Sequence, residues 1–158
     1  MTRVEPADMP GVNIFNRTLG RAPDIMAANA ALDATIRFSS RLSLDLKEEV
    51  RRSTASGIGC EFCASLGEPK LEHPDRAESL AVAFAQMVID DPNGIDDSAF
   101  DVLREEFTDD QIVELVAWIC FILIGNQTFG AVMRLPAATE GELHDYTAWR
   151  ADGAKAAG

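Results

Sequence analysis

Two thiols three residues apart can pass a pair of electrons between a dithiol and a disulfide, and this chain carries that spacing at Cys60 and Cys63. A carboxylate, Glu48, precedes Cys60 by twelve positions, across the glycines Gly57 and Gly59. Residues at i and i+3 of a helix have Cβ atoms about 5–6 Å apart, whereas a disulfide needs about 3.5–4.5 Å. A small local adjustment therefore closes and reopens the ring, which suits a bond that cycles. A thiol at the start of a helix also faces unsatisfied N–H groups, which favour its thiolate. That thiolate attacks a peroxide to give a sulfenic acid, and the second thiol condenses with it to a disulfide. If the helix bearing Glu48 folds back on the thiols, its carboxylate can accept their proton directly or through water.

Each of these residues has a plainer reading. Cys-x-x-Cys can be half of a zinc site, but only Cys120, His73 and His144 remain as further soft or imidazole donors, and they are dispersed along the chain. No metal is expected. Cysteines are also common as buried packing groups, and Cys120, inside an apolar run, reads that way. Glu48 and Arg52 are spaced i, i+4, so an exposed ion pair is the alternative for Glu48. On a helical wheel Glu48 points away from Leu46 and Val50, so the core is not expected to depend on it. His73, beside Pro74, and His144 read as surface residues.

The elements that must position these groups have helical periodicity almost throughout. Ile25, Ala28, Leu32 and Ile36 share one face and predict an amphipathic helix begun by Pro23 and Asp24. A second helix is predicted over residues 44–56, with Leu46 and Val50 inward, broken by Gly57 and Gly59. The thiol pair opens the next helix. Asp75 caps a helix in which Leu80, Phe84 and Met87 share a face, with Glu78 as its capping partner. Residues 97–106 give a short acidic helix. Thr108-Asp-Asp-Gln111 is a capping box before an apolar helix that runs toward Arg134, with a kink near Gly125 or Gly130. Residues 139–150 form a last helix, and residues 151–158 should fray. No segment alternates with period two. The expected fold is a single all-α domain of six to eight helices.

The chain has 158 residues, 47% of them hydrophobic, enough for one core. Its net charge of -12 disfavours nucleic acid and anionic membrane surfaces, which both need basic patches. The apolar run Leu115 to Ile124 is shorter than the roughly 20 residues that span a bilayer, and Met1-Thr-Arg-Val-Glu-Pro6 has no apolar leader segment. The expected compartment is the cytoplasm, where three cysteines signal catalysis, redox work or metal rather than a structural disulfide.

The pattern Glu48, eleven residues, Cys60-x-x-Cys63 resembles the carboxymuconolactone decarboxylase family, specifically its alkylhydroperoxidase D-like branch. Phe15-Asn-Arg-Thr-Leu-Gly-Arg-Ala-Pro23, Phe107-Thr-Asp-Asp-Gln-Ile-Val-Glu-Leu115 and the stretch holding Asn126 and Arg134 are similar to other parts of that family. The likeness covers roughly residues 12–136 of the single domain 1–158. It implies a homo-oligomer, a trimer or a hexamer, that reduces a peroxide, a partner-protein disulfide or another small-molecule substrate. No bound cofactor is implied, and a dithiol reductant or partner redox protein supplies the electrons. It also implies Cys63 as the attacking thiol, whereas the helix-start argument favours Cys60. The alternatives on the same fold are a lactone decarboxylase-type enzyme and a catalytically silent oligomeric protein. One position departs from the branch motif: its relay histidine falls on Gly67.

Overall fold

The computed structural model describes residues 1–157, and its regular structure is entirely helical. The order is α1 (Ile14–Leu19), α2 (Pro23–Arg37), α3 (Leu44–Ile58), α4 (Glu61–Ser65), α5 (Arg76–Asp90), α6 (Asp97–Leu103), α7 (Asp109–Ala117), α8 (Gly125–Met133) and α9 (Glu140–Ala157). A π-helical segment, Trp118–Ile124, joins α7 to α8 without a break. With Asp109–Met133 taken as one continuous 25-residue helix, the described residues make eight helices in one domain, as the periodicity predicts.

Local signals set most boundaries. Ser43 caps α3 through its side chain on the Leu46 N–H. Thr108 and Gln111 form the reciprocal capping box of α7. Asp75 caps α5 on Ala77 N, but Glu78 does not complete a box there. It is buried and pairs with Lys70 Nζ at 2.6 Å. A π turn lies just upstream of Gly125, one of the two positions where the sequence predicts a kink. A π turn inserts an extra residue and rotates the following face, a feature often found beside functional sites. The tail does not fray at residue 151, because α9 continues to Ala157.

Helix α3 is the axis of the bundle. It packs on α5, on the π segment and on α4 and α8. The larger core joins Val50, Phe84, Leu103, Leu115, Trp118 and Ile122 from α3, α5, α6, α7 and the π segment. A smaller core holds Phe15, Ala55, Phe62 and Leu135 around both cysteines of the pair. The helix Asp109–Met133 is long and apolar enough to cross a membrane by length and composition. Here it is the central core helix, with Leu115, Trp118, Ile119, Ile122 and Leu123 buried.

Helix α2 is turned opposite to its predicted orientation. Ile25 is 56% exposed and Leu32 42%, while Asn29, Asp33 and Arg37, at i, i+4 and i+8, face a cavity. Ile25, Ala28 and Leu32 thus form an exposed outer face, Ile36 of the predicted stripe packs against the larger core, and the polar stripe belongs to the site.

Candidate active site: a thiol pair beside an arginine-lined cavity

Helix α3 ends at Gly59, whose φ of 81° lies in the left-handed region that a residue without Cβ enters freely. The chain reverses there, and Cys60 becomes the N-cap of α4, its Sγ accepting the Cys63 N–H at 3.1 Å. Cys60 and Cys63 are joined in a disulfide, with Cα atoms 5.2 Å apart. Both are buried, but only Cys63 lines a cavity of about 930 Å³. This size lies in the range of about 300–1,000 Å³ that holds small organic ligands. The cavity side of the pair is therefore Cys63. The cap position of Cys60 uses its sulfur to hold the start of α4. Cys120 remains free and half-buried, and burial pushes its thiol pKa up.

Gly130, on α8, closes the other side of the pair. A Cβ there would collide with Cys60 Sγ and lie 3.6 Å from Cys63 Sγ. Gly130→Ala is expected to cost about 1–3 kcal/mol by overpacking. Urea unfolding of the oxidised protein measures it, and a loss below a few tenths would show that the pair shifts freely.

Glu48 is not the exposed ion-pair partner suggested by the helical wheel. Its side chain is 3% exposed. The wheel misleads because α3 is covered on nearly all sides, so Leu46, Lys47, Glu48, Glu49, Val50 and Arg51 are all buried in succession. Each buried charge has found a partner: Lys47 pairs with Glu114 at 2.6 Å, and Glu49 with His73 at 2.8 Å. The predicted Arg52 contact exists at 3.1 Å. Arg51 adds a bidentate pair, Nε to Oε2 at 3.0 Å and Nη2 to Oε1 at 2.8 Å. Tyr146 donates its hydroxyl to Oε2 at 2.7 Å. Arg150 and Arg37 stand 3.5 and 3.8 Å from the same oxygen.

Burial alone would raise the pKa of Glu48. The hydrogen bonds and charge of Arg51, then the Tyr146 hydroxyl and the Arg150 charge, overcome it and hold the group at about 2. A carboxylate so low and so fully bonded is a poor proton acceptor near neutral pH. Its geometry instead fixes Arg51, whose Nη1 donates to the Cys63 carbonyl at 2.7 Å. The path from Glu48 to the thiols therefore runs through a guanidinium. The same depressed pKa has a consequence for stability. The carboxylate's contribution is fully present above its ordinary value of 4.5 and is lost as pH falls toward about 2. Unfolding free energy should fall by on the order of 3 kcal/mol across that window, and Glu48→Gln should flatten this part of the profile.

Gly67 stands where the resemblance places a relay histidine, with φ at +141°, a conformation that side chains rarely adopt. A Cβ there would come within 2.9 Å of Arg52 Nε. The space for a residue-67 side chain is thus filled by the guanidinium of Arg52. His73 does not stand in for the missing imidazole either. It is half-buried rather than a surface residue, and its Nε2 meets Glu49, not the thiols. His144 is exposed, as expected.

Sequence reasoning missed Arg37, Arg51, Tyr146 and Arg150. Arg37 is sandwiched by Trp118, Trp149 and Tyr146, with its guanidinium carbon 4.8, 5.0 and 5.7 Å from the ring centroids. Tyr146, Trp149 and Arg150 come from α9, outside the stretch that carries the family likeness. The one available signal was the stripe Asn29, Asp33, Arg37 on α2. Gln127 was also missed. Its Nε2 donates to Arg51 O and Thr54 Oγ1, both at 3.0 Å, leaving Oε1 buried without a partner.

No protein-family model matches the chain, and no curated protein matches it. Among solved structures it is similar to a cysteine-to-alanine variant of the debrominase Bmp8 in complex with 2,3,4-tribromopyrrole, with a TM-score of 0.62 over 88% of this chain and 83% of that one. The identity is 19%, so the likeness is one of fold. It is the helical fold that the sequence resemblance implies.

Proposed function

We propose that the protein is a thiol–disulfide oxidoreductase that reduces a small organic substrate, a hydroperoxide by first choice, through Cys63 and Cys60. The observation that carries this reading is the bonded pair with Cys63 alone opening onto a cavity of organic-ligand size. In the reduced protein the Cys63 thiolate attacks the distal peroxide oxygen. The O–O bond breaks, and the departing alkoxide takes a proton to leave as the alcohol. Cys60 then attacks the resulting sulfenic sulfur, water leaves, and the disulfide forms. A dithiol donor restores both thiols, which suits a reducing compartment such as the cytoplasm. Activation comes from the fixed positive charge of Arg51, which stabilises the Cys63 thiolate without a relay base. Glu48 is a positioning residue for that arginine.

A second reading is favoured by the neighbour that is a debrominase. The same dithiol could reduce an aryl bromide, taking up one bromine to give the arene, bromide, a proton and the disulfide. Reduced protein incubated in parallel with cumene hydroperoxide and with tribromopyrrole separates the readings. Loss of thiols with the peroxide and none with the pyrrole supports the first, and bromide release supports the second. Thiols unchanged with both would sink the redox reading.

We further propose that the exposed apolar residues of the long helix, among them Val113 and Phe121, and of α2, Ile25 and Leu32, are covered in a homo-oligomer. Light scattering on the eluting protein should give the mass of a trimer or a hexamer. A monomer at micromolar concentration would contradict this.

A further inference from the structure

Helix α9 is the least buried element of the fold, and it forms one wall of the cavity. Every other helix, and the π segment, buries at least one residue, whereas none of the described side chains of α9 is fully buried. Even so, Gly141, Glu142, Asp145, Tyr146 and Trp149 line the space onto which Cys63 opens. An element with few buried apolar contacts opens at a lower free energy than the core around it. Once detached, an 18-residue helix with a glycine at position 153 is marginal in water.

The contacts of α9 fall into two groups. Its N-terminal end is anchored. Leu135 is buried, Ala138 N donates to Ser65 Oγ at 2.7 Å, and Glu142 accepts from the Ile14 N–H at 2.6 Å. Beyond Glu142 the helix is held at one cluster. The Tyr146 hydroxyl donates to Glu48 Oε2 at 2.7 Å and accepts from Arg37 Nη1 at 3.1 Å. Arg150 Nε stands 3.5 Å from the same carboxylate oxygen, buried but without a hydrogen bond. Trp149 meets Phe38 edge to face, with ring centroids 5.1 Å apart. Gly153 lies against the same Phe38 ring, where a Cβ would collide.

We infer that α9 is a hinged gate over the thiol pair, pivoting at residues 139–141 and latched by Tyr146 on Glu48. With the gate closed, the cavity has room for a small molecule only. Opening removes the wall that carries Tyr146 and Trp149, and bares the cavity side of Cys63 to a reactant as large as a protein dithiol donor. The gate concerns access to Cys63 and is independent of which oxidant the pair meets.

The test alkylates the reduced protein with N-ethylmaleimide and with a maleimide on a short linker to a gold particle too large for the cavity, and reads Cys63 by peptide mapping. Tyr146→Phe removes both hydrogen bonds of the latching hydroxyl. It should raise the rate with the bulky reagent, relative to that with N-ethylmaleimide, at least about tenfold, the effect of losing hydrogen bonds to charged groups. Taking the ratio cancels any change in thiolate fraction. An unchanged ratio in the folded variant would overturn the inference. Hydrogen exchange on the wild type gives a second reading that needs no variant. Amides 144–152 should exchange together, at least about 100-fold faster than those of α3. Protection equal to that of α3, or protection lost only toward the C-terminal end, describes a fixed or fraying helix and would contradict the gate. Neither measurement requires turnover, so a protein inert to peroxides loses the redox reading and keeps this one.

Discussion

Glu48→Gln should lower the unfolding free energy by about 3–5 kcal/mol, the cost of removing one partner from a buried ion cluster. The substitution keeps the shape of the side chain and removes its charge. Arg37 and Arg51 then remain buried with a neutral amide between them, and Tyr146 loses a charged acceptor for its hydroxyl. At this chain length the loss corresponds to roughly 6–20 °C in melting temperature. Arg52→Gln is the control. Arg52 is partly solvated and contributes a single contact to Glu48, so its loss should cost about 1 kcal/mol or less. If Glu48→Gln melts with the wild type, Glu48 is a peripheral ion-pair partner after all, and the account of how Arg51 is held fails.

Cys63→Ser should reduce the rate of reaction with a hydroperoxide by at least about 10³-fold, because the attacking atom is gone. Cys60→Ser should behave differently. It should still react once, gaining one oxygen on Cys63, and then stall with no disulfide partner. Intact-mass spectrometry after one equivalent of peroxide distinguishes the two. The asymmetry follows from burial: Cys60 is sealed under Gly130 and committed to capping α4, while Cys63 borders the cavity. Equal reactivity of the two variants would remove that asymmetry. The opposite order would make Cys60 the attacking thiol and return the assignment to the helix-start argument.

The helical content of this chain was legible because its local signals agree with its tertiary structure. Asp75, Thr108 with Gln111 and Gly59 each sit at the helix end that their chemistry predicts. The thiol pair was legible because its spacing is itself the chemistry. The surroundings of the pair were not. Helical periodicity assumes one buried face, whereas the middle of α3 is buried on every side and only its ends, at Asp45, Ser56 and Gly57, are exposed. Six consecutive residues from Leu46 to Arg51 are buried; Glu48 and Arg51 pair with each other, but Lys47, Glu49 and Glu48 also take partners far away in sequence, Glu114, His73 and Tyr146. Tyr146 meets Glu48 across 98 positions, a distance that no local pattern encodes. On α2 the same assumption failed in reverse. The aliphatic stripe was assigned to the core, although the polar stripe of Asn29, Asp33 and Arg37 had equal periodicity. Only the tertiary arrangement decides which of two stripes faces inward. Gly67 shows the limit of motif reading: its positive φ and the Arg52 side chain pressed against it turn a missing histidine into an arginine position.

The most direct test of the account is a thiol count. The reduced chain carries three cysteines. One equivalent of hydroperoxide should remove two thiols per chain, with Cys60 and Cys63 recovered as one intrachain disulfide and Cys120 still alkylatable. Three thiols remaining, or Cys120 among those consumed, would contradict it.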